Sequence, residues 1–310
     1  MADLYRIFNE EGLAGLIPYA LKETSHGYRI LVDKIKAGHP LSFILTHMET
    51  PFLVVKNGTY QALFYTSEEG ARAQAAELRA QGHRPGVEDL PDGRNREEAL
   101  LWLFDHGPTH ILLNDALSIP IKELVSEVPD YDGQPNSEHM LRNRALAGAT
   151  FYYLQQATSG HSNLEAERTW AQAMLHGKFL AACINDRTRD YPALAIDVKG
   201  RTGLLVYTDW RQVMLDHKQR VPPCAVIEFD DLRALLGQAP GSLIVFNHAT
   251  CDLHLDMDLL DAIGQAGASH APAAGEGGGL LAVRPKNTYA LGQVPEEEWE
   301  TADPMPDFLK

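Results

Sequence analysis

Near the amino terminus, apolar residues recur at the spacing of a helix. From residue 13 to residue 36 they return every three or four positions, and Ser25-His26-Gly27 interrupts the pattern. The pattern predicts two helices that separate near residue 26. Three short apolar runs rich in strand-forming residues follow, at positions 41–46, 51–55 and 60–65. Asn57-Gly58 stands between the last two runs, and this dipeptide favours the two positive-φ positions of a tight hairpin turn.

Beyond the hairpin, the pattern alternates between helix and strand. Thr66-Ser67-Glu68-Glu69 has the spacing of a capping box with Thr66 as the N-cap, which predicts a helix that ends near Gly82. Buried strands are indicated by apolar runs, and helices by apolar residues on one face. These patterns predict a strand at 87–90, a helix at 97–104, a strand at 110–113 that stops at Asn114-Asp115, and a helix at 119–128.

The second half of the chain repeats this succession of elements. Helices are predicted at 138–156, 164–174 and 257–263, strands at 179–184, 194–198, 204–207 and 243–246, and a turn at Lys199-Gly200. Tyr65-Thr66 returns as Tyr207-Thr208, and Asn114 at a strand end returns as Asn247. Asp89-Leu90 follows Thr66 by 23 positions, as Asp231-Leu232 follows Thr208. We infer a duplicated domain of the α+β class, with two similar units, each a mixed β-sheet with a hairpin and flanking helices.

The local composition predicts where the two units begin and end. Residues 129–136 combine turn formers and acidic side chains with little apolar material, so a domain boundary is predicted there. Gly, Ala, Ser and Pro dominate from Gly264 to Gly279, which is typical of a linker. The predicted organisation is an amino-terminal helical segment (1–27), a first α+β domain (28–133), a second α+β domain with leading helices (134–263), a flexible linker (264–279) and an acidic tail (280–310).

The repeated anchors resemble a known bacterial family. A turn-joined strand ending in an aromatic-Thr step, a helix, an Asp-Leu pair and a strand ending in Asn are similar to the amino-terminal domain of the SseB family, the enhanced serine sensitivity proteins. The resemblance covers residues 28–128 and 165–265. In that family the aromatic-Thr step is usually Phe-Thr and the strand end is usually Asn-Pro, where this chain has Asn114-Asp115 and Asn247-His248. The resemblance implies tandem bacterial α+β domains without established catalytic residues.

Charge and composition narrow the class of protein. The chain has 27 basic and 42 acidic side chains, a net charge of −15, which argues against a protein that wraps nucleic acid. The first residues do not have the pattern of a signal peptide, and no apolar run reaches the ~18 residues of a membrane span. We expect a cytoplasmic protein that binds neither nucleic acid nor membrane. Its three widely spaced cysteines fit reduced thiols.

No catalytic motif is found in the sequence. His248, Cys251 and His254 stand at three-residue steps and could donate to zinc, but no fourth ligand is obvious, and a polar turn is the favoured interpretation. The acidic pair Asp230-Asp231 is better explained by a solvated helix start than by acid-base catalysis. We therefore expect no bound metal, no cofactor and no enzymatic activity.

The sequence favours a protein-binding or adaptor function with a basic partner. One specific form is an immunity protein, in which acidic side chains imitate phosphates and block a basic toxin or nuclease cleft. The alternative is a small-molecule sensor or an enzyme that uses a pocket between the two domains, with Asn114, Asn247 and His248 as polar groups. The residues predicted to make contacts are Tyr65, Thr66, Asn114, Tyr207, Thr208, Asp230, Asp231 and Asn247.

Overall fold

The computed structural model describes residues 2–21, 25–126, 141, 143–160, 163–183, 194–218 and 222–268. These residues fall into two compact units that divide near residue 129. The boundary predicted at 129–136 lies outside the described residues, as do the acidic tail predicted at 280–310 and most of the predicted linker. No helix within the described ranges is long and apolar enough to cross a membrane.

The first unit contains a six-stranded mixed sheet. Its elements are α1 (Ala2–Ala20), α2 (His26–Lys36), β1 (Ser42–Leu45), β2 (Leu53–Lys56), β3 (Thr59–Tyr65), α3 (Glu68–Ala80), β4 (Gly86–Asp89), α4 (Arg94–Asp105), β5 (His110–Leu113) and β6 (Leu117–Pro120). The strand order is β4-β1-β3-β5-β6, with β2 paired to the first half of β3. β3 and β5 are parallel, and the other pairs are antiparallel. The two leading helices and the hairpin predicted from the sequence are confirmed.

Side chains alternate between the two faces of this sheet. Phe43 and Phe64 stack at 5.3 Å between ring centroids and face the core formed with α1, α2 and α4. Their neighbours Ile44 and Leu63 point to the opposite face, where they pack against α3. The hairpin turn places Asn57 and Gly58 at φ values of 54° and 73°, as its residue types require. The sheet is therefore buried on both faces.

The second unit repeats the topology of the first. Its elements are α5 (Arg144–Thr158), α6 (Leu164–His176), β7 (Lys178–Ala182), β8 (Ala195–Val198), β9 (Arg201–Tyr207), α7 (Trp210–Asp216), β10 (Cys224–Glu228), α8 (Phe229–Gln238), β11 (Leu243–Phe246), β12 (Leu253–Leu255) and α9 (Met257–Ala268). The order is β10-β7-β9-β11-β12, with β8 paired to β9, and β9 and β11 are parallel. Every strand pair has its counterpart in the first unit, so the prediction of two similar α+β units is confirmed.

Two local predictions in the first unit are wrong. Ser67 rather than Thr66 caps α3, since Ser67 Oγ accepts from the Gly70 N–H at 3.2 Å. Instead of a helix at 119–128, residues 117–120 form β6 and a short 3₁₀ turn follows. Leu117 and Ile119 alternate with polar Ser118, and this period of two suits a strand paired with β5.

Two predictions in the second unit also need correction. The first is the correspondence of Asp231 with Asp89. In the first unit Ser42 pairs with both Tyr65 and Asp89, and in the second unit Leu180 pairs with both Tyr207 and Val226. Val226 is therefore the counterpart of Asp89, whereas Asp231 lies five residues further along, in α8. The match fails because α7 has 7 residues and α3 has 13. At the other end of the unit, α9 continues to Ala268, so positions 264–268 of the predicted linker are helical.

Candidate binding surface at the strand ends

In each unit, three strands end at the same edge of the sheet. β9 and β10 both run antiparallel to β7, and β11 runs parallel to β9. The carboxyl ends of β9, β10 and β11 therefore meet at one edge, which we call the strand-end edge. In the first unit β3, β4 and β5 have the same relation. In open α/β sheets this edge is where ligands commonly bind.

At the strand-end edge of the second unit, an asparagine fixes the end of β9. Asn247 Oδ1 accepts from the Thr208 backbone N–H at 2.9 Å, and Asn247 Nδ2 donates to Thr208 Oγ1 at 3.1 Å. Asn247 has a φ of 50°, a conformation that asparagine tolerates better than most residues. Both side chains are fully buried. We call this pair of contacts the Asn-Thr clamp.

The first unit contains the same clamp in a more open setting. Asn114 Oδ1 accepts from the Thr66 N–H at 3.0 Å, Asn114 Nδ2 donates to Thr66 Oγ1 at 3.0 Å, and Asn114 has a φ of 47°. Here both residues are only partly buried. The structure thus brings together the predicted residues of each unit in pairs. It gives those side chains internal hydrogen bonds, while their role in contacting a partner stays a prediction.

A tyrosine next to each clamp is hydrogen-bonded to a carboxylate. In the first unit the Tyr65 hydroxyl lies 3.0 Å from both carboxylate oxygens of Asp115. Burial, followed by the negative charge of Asp115, raises the pKa of the Tyr65 phenol well above its usual range. The phenol therefore stays protonated and serves as a donor. Asp115, which follows the clamp asparagine, is itself exposed.

In the second unit the corresponding tyrosine belongs to a larger cluster. The Tyr207 hydroxyl lies 2.5 Å from Asp216 Oδ2 and 2.9 Å from His217 Nε2. His248 Nδ1 lies 3.0 Å from Asp216 Oδ1. A phenol has one proton, and the shorter contact is to the carboxylate, so Tyr207 donates to Asp216 and His217 Nε2 donates to the phenol oxygen. Burial and the Asp216 contact raise the Tyr207 pKa above its usual range.

Sequence reasoning missed Asp115, Asp216 and His217. The available signal was the residue after the clamp asparagine, which is ionisable in both units: Asp115 in the first and His248 in the second. The acid of the first unit contacts tyrosine directly. In the second unit the His248 imidazole contacts Asp216, at the end of α7, and Asp216 in turn contacts Tyr207. Asp216 and His217 could not be paired with Tyr207 from the sequence because tertiary folding brings them together.

Carboxylates collect along the strand-end edge of the second unit. Asp230 and Asp231 are both exposed in the first turn of α8, directly after β10, and Asp231 accepts from the Glu228 N–H at 2.8 Å. β10 lies two strand spacings from β9, about 10 Å. Asp230 and Asp231 therefore share an edge with Tyr207, although no hydrogen bond among the described residues joins them to its cluster. The exposed residues Glu228, Asp230 and Asp231 form what we call the second acidic rim.

The first unit has an acidic rim at the corresponding edge, formed by Glu88, Asp89 and Asp115. Asp89 ends β4, accepts from the Ser42 hydroxyl at 2.7 Å and follows Glu88 directly. Partial burial, then repulsion from Asp89 and Glu49, raises the pKa of Glu88 to about 7. Glu88 is thus held among like charges. A positive charge placed at this rim would relieve that repulsion.

The three residues considered as zinc donors are engaged separately. His248 contacts Asp216, His254 Nε2 lies 3.2 Å from Asp252, and Cys251 Sγ donates to the Phe246 carbonyl at 3.4 Å. In the described part of the chain, no three His, Cys, Asp or Glu side chains are grouped so that they could hold a metal ion. The second unit also has two surface depressions of about 390 and 300 Å³. Neither is lined by the clamp residues.

Comparisons of the chain with family models, with curated proteins and with solved structures find no match. The strand-end edges, with their clamps and acidic rims, are therefore the basis for proposing a function.

Proposed function

We propose that the protein is a non-enzymatic, SseB-like binding protein whose acidic rims contact a basic partner protein. The observation that carries this proposal is the repetition of the rim: in both units, carboxylates gather where three strand ends meet. The two rims differ in residue identity and share their place in the fold. A net charge of −15 adds a long-range field that would steer a basic partner toward the molecule.

The state of Glu88 supports a cationic partner. Its pKa of about 7 reflects burial and the neighbouring charges of Asp89 and Glu49. A lysine or arginine brought to this rim would favour the ionised form of Glu88, so binding would release a proton near neutral pH. A cation would stabilise ionised Glu88 more than it stabilises a fully solvated carboxylate, because Glu88 is partly buried and is repelled by Asp89 and Glu49 among the described residues.

The engagement of the polar residues favours binding over catalysis. Thr208 and Asn247 are fully buried and bonded to each other, and Tyr207 donates to Asp216. These groups hold the strand ends in place, and the exposed carboxylates beyond them are left to make external contacts. In the immunity form of the proposal, the rims would imitate nucleic-acid phosphates in a toxin or nuclease cleft.

The first test is affinity purification of the tagged full-length chain at low and at high salt. We expect one stoichiometric basic protein that is lost at high salt, since screening weakens contacts between exposed charges. An empty column at both salts would contradict the proposal. A ligand-induced rise in melting temperature without any protein partner would then support the small-molecule alternative.

The second test assigns the contact to the rim. Asp230→Lys combined with Asp231→Asn changes the charge by three and keeps an acceptor for the Glu228 N–H. The matched control is Glu10→Lys with Glu11→Gln, an adjacent exposed pair in α1 with the same change in charge. The rim variant should bind the copurified partner at least about tenfold more weakly than the wild type does. The control should bind it with an affinity close to that of the wild type. Equal weakening by both variants would indicate an effect of net charge alone.

A further inference from the structure

In the second unit, β10 has an open edge. Among the described residues it is the last strand of its sheet and pairs only with β7. The Cys183 N–H donates to the Pro223 carbonyl at 2.8 Å, which fixes the phase of the antiparallel ladder. Since bonded pairs alternate, Ala225 and Ile227 bond to β7, and Val226 directs its N–H and carbonyl away from the sheet.

The open edge of β10 has no charged residue over its first four positions. These positions read Cys-Ala-Val-Ile, whereas the corresponding strand β4 reads Gly-Val-Glu-Asp. Charged side chains on an edge strand are a common means of preventing another strand from pairing with it. The first unit has that protection through Glu88 and Asp89. In β10 the only charged residue is Glu228 at its end, so positions 224–227 lack this protection, which is the pattern expected of an edge that another segment covers.

A groove follows the open edge. It has a volume of about 300 Å³ and lies between β10 and α8. The strand side of the groove is apolar and includes Ala181, Ala225 and Ile227. The helix side presents Ala234 and Leu235, together with polar Asp231 and Gln238. An edge strand beside a helix is the arrangement that accepts an added extended segment, with main-chain bonds to the edge and alternate side chains in the groove.

The chain contains a segment suited to this groove. Leu280-Leu281-Ala282-Val283 is the longest apolar run after α9, with Gly279 before it and Arg284-Pro285 after it. Proline tends to end a strand, so the run is bounded at a length of four to five residues. α9 packs against α8 and ends at Ala268. The 11 residues from 269 to 279 would span about 18 Å on average, which exceeds the diameter of about 10–12 Å of one helix such as α8.

We propose that residues 280–283 add to the open edge of β10 as an extra strand lying in the α8 groove. The tether keeps the segment at a high effective concentration near the groove, so a short strand suffices for occupancy. In this arrangement the uncharged edge of the second unit is covered by the chain itself. The inference does not rest on the proposed function, because it is argued from the uncharged positions of β10 and from the groove; Asp231 belongs both to the groove wall and to the second acidic rim.

The test is amide hydrogen exchange in the full-length chain, resolved to single residues. Leu281→Asp places a charge within the added strand, and Leu291→Asp is the matched control outside it. We expect the Val226 amide to be protected from exchange in the wild type and in the control. In Leu281→Asp it should exchange at least about tenfold faster. Both substituted positions lie outside the described residues. Loss of the fold would be recognised by faster exchange at the buried β9 amides as well.

Two results would overturn the proposal. The first is equal exchange of the Val226 amide in the wild type and in Leu281→Asp. The second is protection of Val226 that rises with protein concentration, accompanies a doubled molecular mass and persists in Leu281→Asp, because a second copy of the chain would then cover the edge.

Discussion

Replacing Glu88 by Gln is predicted to stabilise the protein above neutral pH. The folded chain raises the pKa of Glu88 from 4.5 to about 7, through partial burial and the charges of Asp89 and Glu49. This difference corresponds to at most about 3.4 kcal/mol between the two protonation states. Because Glu88 is only half-buried, solvent screening reduces the expected effect to about 1–2 kcal/mol.

The sign follows from the direction of the pKa. A raised pKa means that the folded state holds the Glu88 proton more tightly than the unfolded state does. The associated stability is complete below pH 4.5 and is lost as the pH rises through 7. The amide of the Glu88→Gln variant stays neutral at every pH, so the variant keeps that stability where the wild type loses it.

The assay is urea unfolding at pH 4.5 and at pH 8. At pH 8 the Glu88→Gln variant should unfold at a higher urea concentration, with a gain of about 1–2 kcal/mol, and at pH 4.5 the two proteins should agree closely. Glu69→Gln is the control, since Glu69 is exposed in the first turn of α3. The reasoning is refuted if Glu88→Gln gives the same change in stability at both pH values.

The duplicated units supply matched pairs for the other predictions. Asn247→Ala removes a fully buried clamp and should cost about 2–4 kcal/mol, whereas Asn114→Ala, in the partly exposed clamp, should cost about 1–2 kcal/mol. Urea midpoints of the two variants check this order, and equal losses would contradict it. Tyr207→Phe leaves the nearly buried Asp216 without its phenol donor and should lower the free energy of unfolding by about 1–3 kcal/mol. Tyr65→Phe should lower it by less than about 1 kcal/mol, because its partner Asp115 is exposed. A larger loss in Tyr65→Phe than in Tyr207→Phe would show that exposure does not set the cost.

Features encoded by neighbouring residues could be predicted from the sequence. The Asn57-Gly58 turn needs only its own two positive-φ positions, and the strand at 110–113 contains a continuous apolar run at 111–113 between polar residues. The repeat was also visible, because Tyr65-Thr66 and Tyr207-Thr208 close corresponding strands. These predictions depend on local backbone preference and on hydrophobic pattern, both of which are present in the chain before it folds.

Features that depend on distant partners could not be predicted in the same way. Thr66 has the residue type of an N-cap, but its hydroxyl is bonded to Asn114, 48 residues away, and Ser67 takes the cap instead. Spacing alone predicts that Asp231 is the equivalent of Asp89, and this prediction is wrong because α7 is shorter than α3. The contact of Asp216 with Tyr207 likewise depends on where α7 ends in space. Residue type indicated which groups were polar, and tertiary structure decided which groups they meet.

The parallel pairing at the centre of each sheet has a consequence for synthesis on the ribosome. β3 is complete at Tyr65, but its parallel partner β5 ends at Leu113, and α3, β4 and α4 lie between them in the chain. At about 5–20 residues per second, translation of those 48 residues takes about 2–10 seconds. Through this interval β1 and β2 can already pair with one side of β3 while its other side has no partner strand. The nascent chain therefore exposes an apolar strand edge for seconds, and the same delay recurs when β9 waits for β11.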